Sequence, residues 1–179
     1  MVTKKVEKAL NEQIQKEEHS SRLYLGMASW CQLEGYQGAA NFLYTQTDEE
    51  RMHMLRLVHY LSDRGGTVAY GKMDHLKIEY KTLHDVFDQV LKHEEFISAS
   101  INDVYAISIK QNDFSTSNFL QWYITEQTEE ESTVRGILDQ ISLAGEDKGG
   151  LFMMDKELAA LAAKKRASLL AMAAANTAA

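Results

Sequence analysis

A chain of 179 residues, 45% hydrophobic and 25% charged, is globular in composition and long enough to bury a sizeable core. A formal net charge of −7 disfavours a nucleic-acid backbone as partner and is compatible with attracting cations. The single cysteine, Cys31, excludes an internal disulfide and a CxxC metal or redox site; no apolar run approaches a membrane span, and MVTKKVEKAL lacks the apolar stretch of a signal peptide, so a soluble, cytoplasmic protein with no nucleic-acid or membrane partner is expected.

The chain contains no proline, which makes long uninterrupted helices the leading expectation. Apolar residues at alternating steps of three and four mark four of them. The first, about 5–33, carries Val6, Leu10, Ile14, Glu17, Ser21, Tyr24, Ala28 and Cys31 on one stripe. "LEGYQG" (33–38) is a short turn, so the next helix, about 38–64, folds back as an antiparallel partner. Its stripe reads Ala39, Leu43, Gln46, Glu50, His53, Leu57 and Tyr60. Residues 65–82 hold glycines and no helical stripe. Such a length of extended chain reaches nearly 60 Å, more than the roughly 40 Å of the preceding helix. It can therefore cross the whole bundle. The third helix, about 83–110, gives Leu83, Phe87, Val90, Glu94, Ile97, Ile101 and Val104. After "KQNDFSTS" (110–117), where Asp113 or Ser115 suits an N-cap, the fourth, about 115–144, gives Leu120, Tyr123, Gln127, Glu130, Val134, Ile137, Ile141 and Ala144. The expected fold is all-α, one domain over 1–179: a four-helix bundle with one long crossover loop and a short fifth C-terminal helix, about 151–172.

Each stripe is interrupted near its centre by groups that do not belong in an apolar core. Glu17 lies about 17 residues before the first turn and Glu50 about 13 after it, within roughly two turns of one level. Glu94 and Glu130 are balanced in the same way about the second turn. The halves repeat each other: Glu17 then Glu94 on the leading helices, Glu50/His53 then Gln127/Glu130 at i, i+3 on the trailing ones. Buried carboxylates must be neutralised, paired or bound to a cation. The four stripes offer no lysine or arginine to balance them. Four Glu and one His make an oxygen-rich donor set with a single nitrogen, suited to iron or manganese rather than to a thiolate metal. One buried Glu or His alone is more often a satisfied core residue; four at one level are not. Glu49, next to Glu50, and Glu126, Glu129 and Glu130, spaced i, i+3, i+4, suggest a third cation site facing away from the bundle axis.

Glu17, Glu50-x-x-His53, Glu94 and Gln127-x-x-Glu130, with Tyr24 and "NFLQWYITEQTEEE" (118–131), resemble the prokaryotic non-haem ferritins over about residues 5–160. The resemblance implies a homo-oligomer, a hollow shell of twenty-four subunits, that oxidises Fe(II) with dioxygen or peroxide at a di-iron ferroxidase centre and stores ferric mineral. It implies one iron on Glu17, Glu50 and His53, another on Glu50, Glu94 and Glu130, and a third on Glu49, Glu126, Glu129 and Glu130. It further implies electron donation by Tyr24 and a hydrogen bond from Gln127 to a bound oxygen species or a ligand. Trp122 is expected to serve core packing. Bacterioferritins use ExxH in both halves and a haem-ligating methionine directly after the bridging Glu; here Glu130 ends the second pair and Arg51 holds that place, so no haem is expected. Rubrerythrins need CxxC pairs. Manganese catalases or hydroxylases on this bundle carry His in both halves. A cage without turnover would lack the oxidase ligands. The tail "KELAALAAKKRASLLAMAAANTAA" (156–179) runs past the family's usual end. It is expected to extend the helix from about 165 to 179, with Lys164, Lys165 and Arg166 bringing positive charge near the four-fold axis or the inner surface.

Overall fold

The computed structural model describes residues 2–177. Residues 178–179, the end of the expected extension, lie outside the described residues. Five helices follow in order: α1 Lys4–Leu33, α2 Gln37–Asp63, α3 Leu83–Lys110, α4 Phe114–Ala144 and α5 Lys148–Thr177. No helix among the described residues is long and apolar enough to cross a membrane.

Local chemistry sets the ends. The Thr3 hydroxyl accepts from the Val6 N–H to start α1. Gly35, at φ +90°, makes the left-handed turn into α2. Thr82 and Asp85 form a reciprocal capping box at the head of α3. Of the two candidates for the α4 cap, Asp113 does the work: its carboxylate accepts from the Thr116 N–H at 3.2 Å. The same carboxylate pairs with Arg64 at 3.0 Å, which fixes the end of α2 beside the start of α4.

The crossover, 64–82, runs the length of α1. At its start Asn11 donates to the Thr67 carbonyl at 2.9 Å and accepts from the Ala69 N–H at 2.7 Å. Further along, Ile78 lies against Gly26, where a Cβ would stand 2.5 Å from the Ile78 methyl. Tyr80 then packs edge-on to Trp30, ring centroids 5.6 Å apart. A loop with its own side-chain partners along a helix is a strap rather than a slack connection.

The bundle core has two apolar layers. One includes Tyr24, Cys31, Leu43, Phe87 and Ile137; the other includes Leu10, Leu57, Leu61, Ile101 and Leu120. Glu17, Glu50, His53, Glu94, Gln127 and Glu130 lie buried between them. One detail of the first stripe shifts: Ser20 is fully buried, whereas Ser21 is only partly so and caps back to the Thr47 carbonyl at 2.8 Å. Steps of three and four cannot choose between adjacent positions once the drift of 3.6 residues per turn accumulates.

The fifth helix continues past residue 165, as the alanine-rich tail led one to expect. It is 30 residues long, as long as the bundle helices, and it docks on α2 and α4. Met154, Leu158 and Ala162 join the apolar layer around Phe42 and Leu43. The Asp155 carboxylate accepts from the Gly38 and Ala39 N–H groups, both at 2.9 Å, and so caps the open start of α2.

Candidate metal centre

α1 delivers Glu17, and a relay holds it. Lys16 Nζ donates to Ser100 Oγ at 2.5 Å, Ser100 donates to Gln13 Oε1 at 2.5 Å, and Gln13 Nε2 donates to Glu17 Oε1 at 2.8 Å. Gln13 sits one helical turn before Glu17 on the same face, and Ser100 comes from α3. Glu17 Oε2 is left buried without a hydrogen-bond partner among the described residues.

α2 delivers Glu50 and His53, one turn apart, with His53 Nδ1 3.6 Å from Glu50 Oε2. Tyr123 OH donates to the His53 carbonyl at 2.8 Å, and the rings of Trp122 and Tyr123 stand edge-on to the imidazole at 5.3 and 5.8 Å. Trp122 thus packs, as expected, but against a candidate ligand, and Arg56 covers its outer face at 4.1 Å. Both His53 ring nitrogens are buried without a hydrogen-bond partner among the described residues.

From α3, Glu94 accepts from Tyr24 OH on one oxygen and from Gln127 Nε2 on the other at 3.0 Å. Its neighbour His93 does not reach the centre. It shares a hydrogen bond of 2.7 Å with Ser20 and lies edge-on to Tyr24. Burial, with His19 nearby, pushes His93 down to about 4, so it is neutral at ordinary pH. From α4 comes Glu130, both of whose carboxylate oxygens are buried and without hydrogen bonds among the described residues.

The donor atoms converge in three groups, within each of which they lie within 4.8 Å of one another: Glu17, Glu50 and His53; Glu50, Glu94 and Glu130; and Glu49, His53 and Glu130. Glu50 is common to the first two. The electrostatics follow from the crowding. Burial, then Glu94 and Glu17, holds the Glu50 carboxyl well above the usual carboxylate range. Burial, then Glu94 and Glu50, does the same to Glu130. Burial also raises Glu94, against the hydrogen bonds from Tyr24 and Gln127 that favour its charged form. Tyr24 is pushed well up by burial and by the carboxylates it faces, so it is a neutral donor here.

An unpartnered buried polar group costs about 1–3 kcal/mol. Several around one point are a large fraction of a typical fold's roughly 5–15 kcal/mol stability. Hydrogen bonds leave the lone pairs of Glu17, His53 and Glu130 aimed at one another's midst, which is the arrangement that cations relieve. The donor set fits a pair of hard, oxygen-preferring ions.

The outer acids are arranged differently. Glu49, Glu126, Glu129 and Glu130 line a cavity of about 310 Å³ between α2, α4 and α5. Glu49 and Glu130 are buried in its floor, Glu126 is half-buried and Glu129 exposed. Lys165 of α5 reaches across it to pair with Glu49 Oε2, with its Nζ 3.9 Å from Glu130 Oε1. The balancing cation that the four bundle stripes lack comes from the fifth helix. Burial alone would lower the pKa of this ammonium, but Glu49 and Glu130 outweigh it and hold its pKa above the ordinary value.

The chain is similar to known proteins over most of its length. The family profile described as ferritin-like domain matches residues 7–144. A bacterial non-heme ferritin from Campylobacter jejuni is 40% identical over 166 residues, 93% of this chain and 99% of its own length. One from Escherichia coli is 41% identical over 152 residues, 85% of this chain and 92% of its own. Among solved structures, an open-pore ferritin from Archaeoglobus fulgidus superposes with a TM-score of 0.88 at 36% identity, covering 89% of this chain and 98% of the other. The chain belongs to the ferritin family.

Proposed function

We propose that this protein is an iron-storage ferritin. It takes up Fe(II) as substrate, oxidises it at a di-iron centre within each subunit, and keeps the ferric product as mineral inside a shell of many copies, twenty-four in number. Two overlapping donor groups that share Glu50, with buried oxygens and nitrogens that no hydrogen bond satisfies, carry the reading.

One Fe(II) is bound by Glu17, Glu50 and His53, and its neighbour by Glu50, Glu94 and Glu130. Two Fe(II) yield two electrons. With two protons these convert dioxygen to hydrogen peroxide, or hydrogen peroxide to two waters, so electrons leave in a pair. Carboxylate oxygens are hard anionic ligands that favour Fe(III) over Fe(II), which sets the direction. Binding favours the charged forms of Glu50 and Glu130, whose carboxyls burial and their neighbours hold well above the usual carboxylate range. The Lys16–Ser100–Gln13 relay orients Glu17, and Tyr24 with Gln127 orients Glu94. Tyr24 also stands close enough to supply an electron. Glu49, Glu126 and Glu129 line the cavity beneath α5 and attract iron there.

Storage has its own test. Fe(II) is supplied in air well beyond what the centres hold, and the mixture is run on a sizing column. Iron is expected to elute with a protein particle of many subunits, with no free precipitate. Ferric precipitate beside a small protein species would contradict storage.

A further inference from the structure

Beyond the two inner groups, the buried trio Glu49, His53 and Glu130 could hold a further cation, and one is already provided by the chain itself. α5 docks through Met154, Leu158, Ala162 and Leu169, all buried. Lys165 falls on that same stripe, between Ala162 and Leu169. A position within the docking face, between two buried apolar residues, is therefore given to a lysine. Its side chain is only 25% exposed, whereas Lys164 and Arg166 on either side are exposed. Its ammonium sits on Glu49 and faces Glu130, over the buried oxygens that a metal ion would need.

We propose that Lys165 is the built-in cation of the outer site: the ammonium takes the position between Glu49 and Glu130, and the C-terminal helix thereby limits each subunit to the two inner metal ions. The inference rests on the proposed di-iron centre. The stem of the lysine covers the cavity floor while its charge neutralises the two carboxylates. A divalent ion at the same place would meet an ammonium about as close to it as its own ligands. It could bind only by expelling Lys165 and undoing that part of the α5 contact. Glu126 and Glu129, on the rim of the cavity, then act on ions in passing and do not hold one with Glu49.

Zn2+, which is redox-inert, is the probe. Crystals of the assembled protein soaked in Zn2+ are examined by anomalous diffraction, and bound Zn2+ per chain is measured after desalting. In wild-type protein ions are expected in the two groups that share Glu50 and none on Glu49, about two per chain. In Lys165→Ala a further ion is expected between Glu49 and Glu130, raising the count by about one. Lys165→Gln, which keeps most of the side-chain length, should do the same and guards against loss of α5 docking in the alanine variant. Arg166→Ala removes an equal charge from the exposed face of α5 and should leave the count unchanged. A wild-type ion on Glu49 with Lys165 turned away overturns the proposal, as does a Glu49 left without an ion in both Lys165 variants. Ions absent from the two inner groups overturn instead the di-iron reading beneath it.

Discussion

Glu50→Gln lowers the rate of fast Fe(II) oxidation by about 100-fold or more, and it makes the metal-free protein more stable. The two effects have one cause. Glu50 is the carboxylate common to both inner donor groups, so the variant weakens both at once. Yet in the metal-free protein Glu50 is 2% exposed and crowded by Glu94 and Glu17. Replacing such a charge with a neutral group of the same shape is stabilising by about 1–4 kcal/mol. The gain depends on pH. The folded-state pKa of Glu50 lies above its unfolded value, so its contribution is intact below the ordinary carboxylate pKa of about 4.3 and is lost as pH rises above it. The midpoint advantage of Glu50→Gln over wild type should therefore be absent near pH 4 and grow towards pH 7. Thermal melts of metal-free protein across that range, beside stopped-flow oxidation rates, test both halves. A variant that is slow but no more stable at neutral pH would show that the centre is not strained without its ions.

Gly38→Ala is expected to destabilise the fold by roughly 2–4 kcal/mol. A Cβ at this position would lie 1.7 Å from the Asp155 carbonyl oxygen and 3.0 Å from the Ala159 nitrogen. Those are backbone atoms of α5 and cannot rotate away. The helix must move off α2, and with it go the two hydrogen bonds by which Asp155 caps Gly38 and Ala39. Buried Met154, Leu158 and Ala162 would be exposed in the process. Denaturant unfolding should show a lower midpoint, and limited proteolysis should cut first within α5. An unchanged midpoint would mean that α5 docks elsewhere. Gly136, where a Cβ meets nothing within 4 Å, is the matched control.

What could be read from the sequence follows helical periodicity. Four stripes, two short turns and one long crossing all rest on local chemistry, and the interruptions by Glu17, Glu50, His53, Glu94 and Glu130 were visible because a charge stands out on an apolar face. The structure brings these five together between two apolar layers. The partners that orient them were hidden for a different reason. Gln13 and Ser100 meet only because α1 packs on α3, 87 positions away in the chain. Gln13, one turn before Glu17 and next to the stripe position held by Ile14, was the available signal. Lys165 was harder still. Apolar residues lie on every face of α5, so no single stripe marked which side would dock, and a lysine on that side looked like one on any other. Nor could the pairing of Gly38 with Asp155 be read: a glycine at the start of a helix is ordinary until another backbone is laid across it.

The proposed di-iron centre of these carboxylates and His53 sets how much Fe(II) is oxidised quickly. Its most direct test adds Fe(II) in air to metal-free protein and follows ferric absorbance against iron per chain, beside Glu130→Ala. The expected result is a fast phase that ends at about two irons per chain and is slow in the variant. Oxidation no faster than buffer in both proteins would contradict it, and would leave a ferritin fold whose buried acids serve another metal or none.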